Sequence, residues 1–251
     1  MATVVYDKIF AYCERGQDPS FWAEPLNAVS NVGFVIAGLF VLWSVGRLAP
    51  LERSLYAWTL ALLALLIGVG SFLFHTVAVS WAGAMDVIPI LIFMLVAVYG
   101  LGRRLIGWPI WAAWLGLGVY LASGVALGAL PLEGLFWISK GYFPALIALG
   151  LGGWALSRRP EVDRQIAGRY MLAAGAVFTV SLTFRTLDAY QPLCDAIRWN
   201  GSPLGTHYWW HLLNAVTLYL VMRAFWEQEA RAASPAQTPE TTMLRPRDLA
   251  S

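Results

Sequence analysis

Charge is what this sequence has least of. Only 13% of its 251 residues are Asp, Glu, Lys or Arg, about half the share of a typical soluble domain. A compact soluble fold needs polar groups to cover its surface, and this chain has too few. A lipid-facing surface removes that demand, so the shortage argues against an ordinary soluble domain and for a membrane protein. Basic runs interleaved with aromatics are missing too. With a net charge of +2, nucleic acid has no support as a partner. No signal peptide is visible, because Met1 to Trp22 lacks a cationic start followed by an apolar run. The first helix is therefore expected to target the chain. Internal repeats of the transporter kind are absent, and cysteine is limited to Cys13 and Cys194.

What is abundant is apolar sequence, at 59%. It falls into seven long runs: roughly Leu26–Val45, Leu55–His75, Ala84–Leu101, Trp108–Leu130, Tyr142–Leu156, Tyr170–Leu187 and Thr206–Phe225. A transmembrane helix needs about 20 mostly apolar residues, whereas barrel strands would alternate over about ten. The expected fold is all-α, a bundle of seven transmembrane helices with short connections and antiparallel neighbours. Gly and Pro interrupt the start of the fifth run. The 13 tryptophans suit the two interfacial belts of a membrane. Residues 1–226 read as a membrane domain with an N-terminal segment. Residues 227–251, rich in Ala, Ser, Pro, Thr and Arg, read as a disordered tail. Lys and Arg divide four against twelve between the two sides. The positive-inside bias then puts the N-terminus outside and the C-terminus in the cytoplasm.

Histidine occurs only at positions 75, 207 and 211. His207 and His211 are four apart and share one helix face, a spacing that can grip one metal ion. His75 lies near the outer end of the second helix, at similar depth. Three imidazoles with one open position make a catalytic zinc site. A single histidine in a membrane helix more often just bonds to a neighbour. Three at matched depth reverse those odds, since polar groups in hydrocarbon tend to be functional. Ser71 is one turn before His75, and Asp86 opens the third helix on the same side. A carboxylate there can take a proton from a zinc-bound water, and a serine can support an oxyanion. Each also has a plainer reading, as a helix-internal hydrogen bond and a helix cap. Glu14, Asp18 and Glu24, followed by Asn27, Ser30 and Asn31, offer oxygens to calcium or form a solvated loop. Arg185 and Asp188, three apart, are expected to form a structural ion pair. Cys13 and Cys194 fall on the same outer side, where they either pair or remain free thiols.

In chain order, Tyr12-Cys13-Glu14, Glu24 to Asn31, Gly70 to Thr76, Asp86, Phe184 to Asp188 with Cys194, and His207 to His211 resemble the alkaline ceramidase family. That family belongs to a wider superfamily of seven-helix hydrolases. The resemblance implies a zinc amidase that splits ceramide into sphingoid base and fatty acid, so the partner is a membrane lipid in the bilayer, and no obligate protein partner is evident. It implies that His75, His207 and His211 hold zinc, that Asp86 is base and proton shuttle, and that Ser71 assists. It implies calcium at Glu14 and Glu24 with backbone oxygens near Tyr12 and Gly16, and a Cys13–Cys194 disulfide; Asp18 offers a substitute calcium ligand in this chain. The sequence departs from the family at Ala11, where an acidic residue is common, and in a slightly shorter Cys13-to-Glu24 spacing. The same ligand set would serve a zinc esterase of another membrane lipid, or a seven-helix lipid receptor in which zinc is structural.

Overall fold

A computed structural model describes residues 7–48 and 55–233. It is all-helical apart from one tiny hairpin, with helices α1 (Pro25–Ser30), α2 (Val32–Gly46), α3 (Leu55–Val77), α4 (Ser80–Gly100), α5 (Ile110–Ala129), α6 (Phe143–Ser157), α7 (Val162–Leu187), α8 (Gln191–Ala196) and α9 (His207–Ala233). A wide helical turn, Leu101–Ile106, continues α4. Strands β1 (Arg198–Trp199) and β2 (Ser202–Pro203) pair antiparallel between α8 and α9.

Each of the seven apolar runs forms a helix, the first as the consecutive α1 and α2. Pro25 sits in the first turn of α1, where its missing N–H has no helical partner to lose. Among the described residues, five spans are long and apolar enough to cross a membrane: Pro25–Gly46, Leu55–Val77, Ser80–Ile106, Ile110–Ala129 and Val162–Leu187. Helix α6 has 15 residues, or about 22 Å at 1.5 Å per residue, against a hydrocarbon core of about 30 Å. It begins after two short tight turns, Leu135–Trp137 and Lys140–Tyr142, where the sequence has its Gly and Pro. Helix α9 runs on to Ala233. It thus absorbs the first residues of the segment read as a tail, and residues 234–251 lie outside the described part.

Helix α9 packs against α7, α2 and α3, while α3 also packs on α4 and α2, and α7 on α6. Phe34, Leu60, Ile67, Phe93, Met171 and Met222 fill the shared core. The outer faces are strongly apolar: Trp111 is 70% exposed and Val125 73%. Such a contiguous apolar surface suits lipid and not water. Helix α5 buries only Ala113 and Leu117, so it stands at the margin of the bundle.

Two close approaches between segments fix the placement of the polar residues. A Cβ on Gly70 would lie 2.0 Å from the Met85 carbonyl oxygen, so only glycine lets α3 meet α4 there. Pro89, inside α4, supplies no N–H to that same carbonyl. The next residues, Ser71 and Asp86, are thereby set side by side. At the start of α9, Asp188 Oδ1 accepts the N–H groups of Thr206 and His207 at 2.7 and 3.0 Å, and Oδ2 accepts that of Cys13 at 3.1 Å. A carboxylate is well suited to the positive end of a helix. Gly205 has φ +65°, and a Cβ on it would lie 2.4 Å from Asp188 Oδ1.

Cys13 and Cys194 form the disulfide, with Cα atoms 5.6 Å apart, fastening the N-terminal segment to α8. Among the described residues no free cysteine remains. Cys194→Ser is expected to lower unfolding stability by about 2–5 kcal/mol, read as a fall in thermal midpoint in detergent. An unchanged midpoint would mean that the Asp188 bonds alone hold the segment.

Candidate metal and active site

His75 lies near the end of α3, and His207 and His211 occupy the first two turns of α9. All three are buried, and their ligand-capable nitrogens lie within 4.8 Å of one another. The ring centroids are 4.6–5.3 Å apart. Among the described residues this is the one such group of three or more His, Cys, Asp or Glu side chains.

The other ring nitrogens explain the orientation. His75 Nδ1 is 2.5 Å from Glu24 Oε2. His211 Nδ1 is 3.0 Å from the Asn27 carbonyl and 2.8 Å from Ser30 Oγ. Carboxylate and carbonyl oxygens only accept, so these Nδ1 atoms carry the protons and leave Nε2 with a lone pair. His75 Nε2 and His207 Nδ1 are buried without a hydrogen-bond partner. A buried polar atom left unpaired costs free energy, and two of them beside a third imidazole make the site fit a metal ion. The imidazole-to-acceptor bonds behind His75 and His211 are the usual second layer of such a centre.

Ser71 hydrogen-bonds the carboxylate of Asp86, as the Gly70 contact allows. Both border a cavity of about 190 Å³, together with His207, His211, Tyr12, Tyr142 and Arg185. The Tyr12 ring covers the triad, with its centroid 4.8 Å from that of His75 and 4.1 Å from that of His207. Burial, with the charge of Asp86 adding to it, pushes its phenol above the ordinary range. The family resemblance pointed to Tyr12 only for its backbone, and the ring contact is new.

The expected Arg185–Asp188 pair does not form. Asp188 is taken by three backbone N–H groups. Burial pushes its carboxyl up, against the pull of those bonds. Arg185 turns instead toward the cavity, donates to Ser139 Oγ at 3.1 Å, and lies over the rings of Tyr142 and Trp210 at 5.0 and 5.8 Å. The helix start needed an acceptor more than the arginine needed a counter-ion, because aromatic faces also stabilise a guanidinium.

The candidate calcium ligands are engaged separately. Glu14 caps α1, its two oxygens accepting the N–H groups of Leu26 and Asn27 at 2.7 and 2.8 Å. Asp18 is exposed and accepts the Ser20 N–H at 2.8 Å. The Tyr12 carbonyl accepts the Gly16 N–H at 3.2 Å, closing a turn in which Gly16 has φ +53°. Glu24 is bound by Arg15, His75 and Asn27. Sequence reasoning missed Arg15 and the pairing of Glu24 with His75. For His211 a signal existed: Asn27 and Ser30, polar and one turn apart, in a helix facing hydrocarbon.

Burial pushes the Glu14 carboxyl from 4.5 up to about 7, against the pull of its two backbone bonds. The folded state therefore holds this proton more tightly than the unfolded chain. The contribution of Glu14 to stability is complete below pH 4.5 and is lost as pH rises through about 7. Melting curves over that interval should show a falling midpoint in the unaltered protein and a flatter one in Glu14→Gln. Parallel slopes would assign the titration elsewhere.

A family model described as Ceramidase matches residues 10–245, nearly the whole chain. No individual curated protein matches it.

Proposed function

We propose that this chain, which belongs to the ceramidase family, hydrolyses the amide of ceramide or a related N-acyl membrane lipid. Membership implies a hydrolase of an amide bond. The observation that carries the finer reading is the three buried histidines, their ligand-capable nitrogens within 4.8 Å of one another and two ring nitrogens left unpartnered, beside the Ser71–Asp86 pair. Three imidazoles with a fourth position left open suit catalytic zinc. A zinc ion held by His75, His207 and His211 would supply a Lewis acid for the amide carbonyl and an acidified water.

The residues of the chain divide the remaining tasks. Asp86 accepts the proton of the attacking water and returns it to the leaving nitrogen, so that the amine departs neutral as the C–N bond breaks. Ser71 holds the Asp86 carboxylate in place and is within the same cavity wall. Glu24, and Asn27 with Ser30, keep His75 and His211 in the ligating tautomer. Tyr12 shields the triad on one side.

A row of neighbouring apolar cavities favours a lipid. The site cavity shares Ile67, Ile90 and Tyr142 with an apolar cavity of about 70 Å³ deeper in the bundle, walled also by Phe93, Phe178 and Leu218. That cavity shares Val98, Leu101 and Ala148 with a groove of about 730 Å³ between α4, α5 and α6, where Trp111, Leu115 and Leu151 line the wall. The marginal packing of α5 leaves this groove toward the bilayer. In the seven-span arrangement with the N-terminus outside, the site lies toward the extracytoplasmic face, and substrate enters sideways from the outer leaflet.

Zinc content and fatty-acid release from a panel of ceramides and N-acyl lipids, in the unaltered protein and in Asp86→Asn, test the reading. The expected result is one zinc per chain in both, with release about 10²–10⁴-fold slower in the variant. Release from lipid esters alone would move the substrate to an ester. Zinc with no release from any lipid would leave a structural metal and a receptor. Zinc absent from both proteins would remove the mechanism.

A further inference from the structure

Arg15 is among the largest fully enclosed side chains of the protein, in a segment where the sequence offers oxygens to a hard cation. Its Nε donates to Glu24 Oε1 at 2.5 Å. Its Nη1 donates to the carbonyls of Asp18 and Ser20 at 3.1 and 3.0 Å, and its Nη2 to the carbonyl of His75 at 2.9 Å. One carboxylate and three carbonyls thus converge on a single positive centre. That is the kind of oxygen set a hard divalent ion selects, and here a planar guanidinium fills it, four of its five N–H groups in use. The acceptors come from the N-terminal loop, from the residue before α1 and from the end of α3. The same Glu24 takes the His75 ring on its other oxygen, at 2.5 Å, with Asn27 Nδ2 at 3.0 Å. Arg15 therefore grips His75 twice, at its carbonyl directly and at its ring through Glu24.

We propose that Arg15 is a resident cation that replaces a bound divalent ion in the N-terminal segment, and that through Glu24 it positions the ring of His75. It is not part of the cavity wall, so it is a positioning residue and not a catalytic one. Glu14 is turned away toward α1, which leaves Glu24 as the single carboxylate on this centre. The inference rests on the metal reading of the three histidines and not on the identity of the lipid.

The test uses the purified full-length chain in detergent, without substrate, so its failure is distinguishable from failure of the hydrolase reading. Calcium chloride added to the zinc-loaded, unaltered protein is expected to leave the thermal midpoint unchanged. Arg15→Ala is expected to bind zinc roughly 10–100-fold more weakly, measured by competition with a chromophoric chelator. Guanidinium chloride at millimolar concentration, or calcium itself, is expected to recover part of that affinity by entering the vacated oxygens. Arg15→Lys, a point charge that cannot span four acceptors, should fall between. Should the alanine variant fail to fold, the lysine variant and the calcium titration of the unaltered protein still decide. Saturable stabilisation of the unaltered protein by calcium would overturn the proposal. So would unchanged zinc affinity in Arg15→Ala, or in Arg15→Lys where that is the variant that folds.

Discussion

A polar atom inside an apolar bundle has to find its partner within the protein, because neither lipid nor hydrocarbon side chains provide one. Glu24 is where that constraint is met for this site. One of its oxygens takes the Arg15 guanidinium, and the other takes the His75 ring and the Asn27 amide. A buried carboxylate or guanidinium alone would be costly. Together they form a neutral, densely hydrogen-bonded unit that fixes an imidazole whose free nitrogen lies beside its two neighbours. The asymmetry is informative: satisfaction on the outer side of the His75 and His211 rings is what makes the unpartnered nitrogens of His75 and His207 meaningful.

The same logic runs through the scaffold. Asp188 spends both oxygens on backbone N–H groups, fixing where α9 begins and so where His207 and His211 point. The Cys13–Cys194 disulfide fastens the segment that supplies Tyr12, Arg15 and Glu24 to α8. On the opposite side of the cavity, the Gly70 contact with Met85 brings α3 and α4 close enough for Ser71 to bond Asp86. Three close approaches, two of them sharing Cys13, therefore converge on one cavity. Arg185, released from the pairing its spacing suggested, adds a cation to the wall of that cavity.

Beyond the site the bundle is unevenly packed. The core around α3, α7 and α9 is dense, while α5 contributes little to it. That unevenness leaves the run of apolar cavities from the triad to the groove beside α5. The lipid substrate proposed above would need such a route for its acyl chains, and a bundle sealed on all sides would not provide it.

Much of this is legible in the residues alone. Long apolar runs and scarce charge determined an all-helical chain with seven apolar segments, because such runs can satisfy their backbone only as helices in lipid. The i, i+4 spacing of His207 and His211 determined that they share a face. The scarcity of His and Cys left one candidate histidine triad and one possible pairing of cysteines, and the order of short motifs pointed to the family. Only the tertiary structure decided which polar residues meet. That Glu24 answers to Arg15 and His75, that Asp188 caps α9 and leaves Arg185 to aromatic rings, and that Glu14 caps α1 all depend on contacts between segments distant in the chain. Spacing along a sequence reports neighbours on one helix. It carries no information on which buried donor another helix will bring within about 3 Å, and in a bundle that pairing settles where each charge goes.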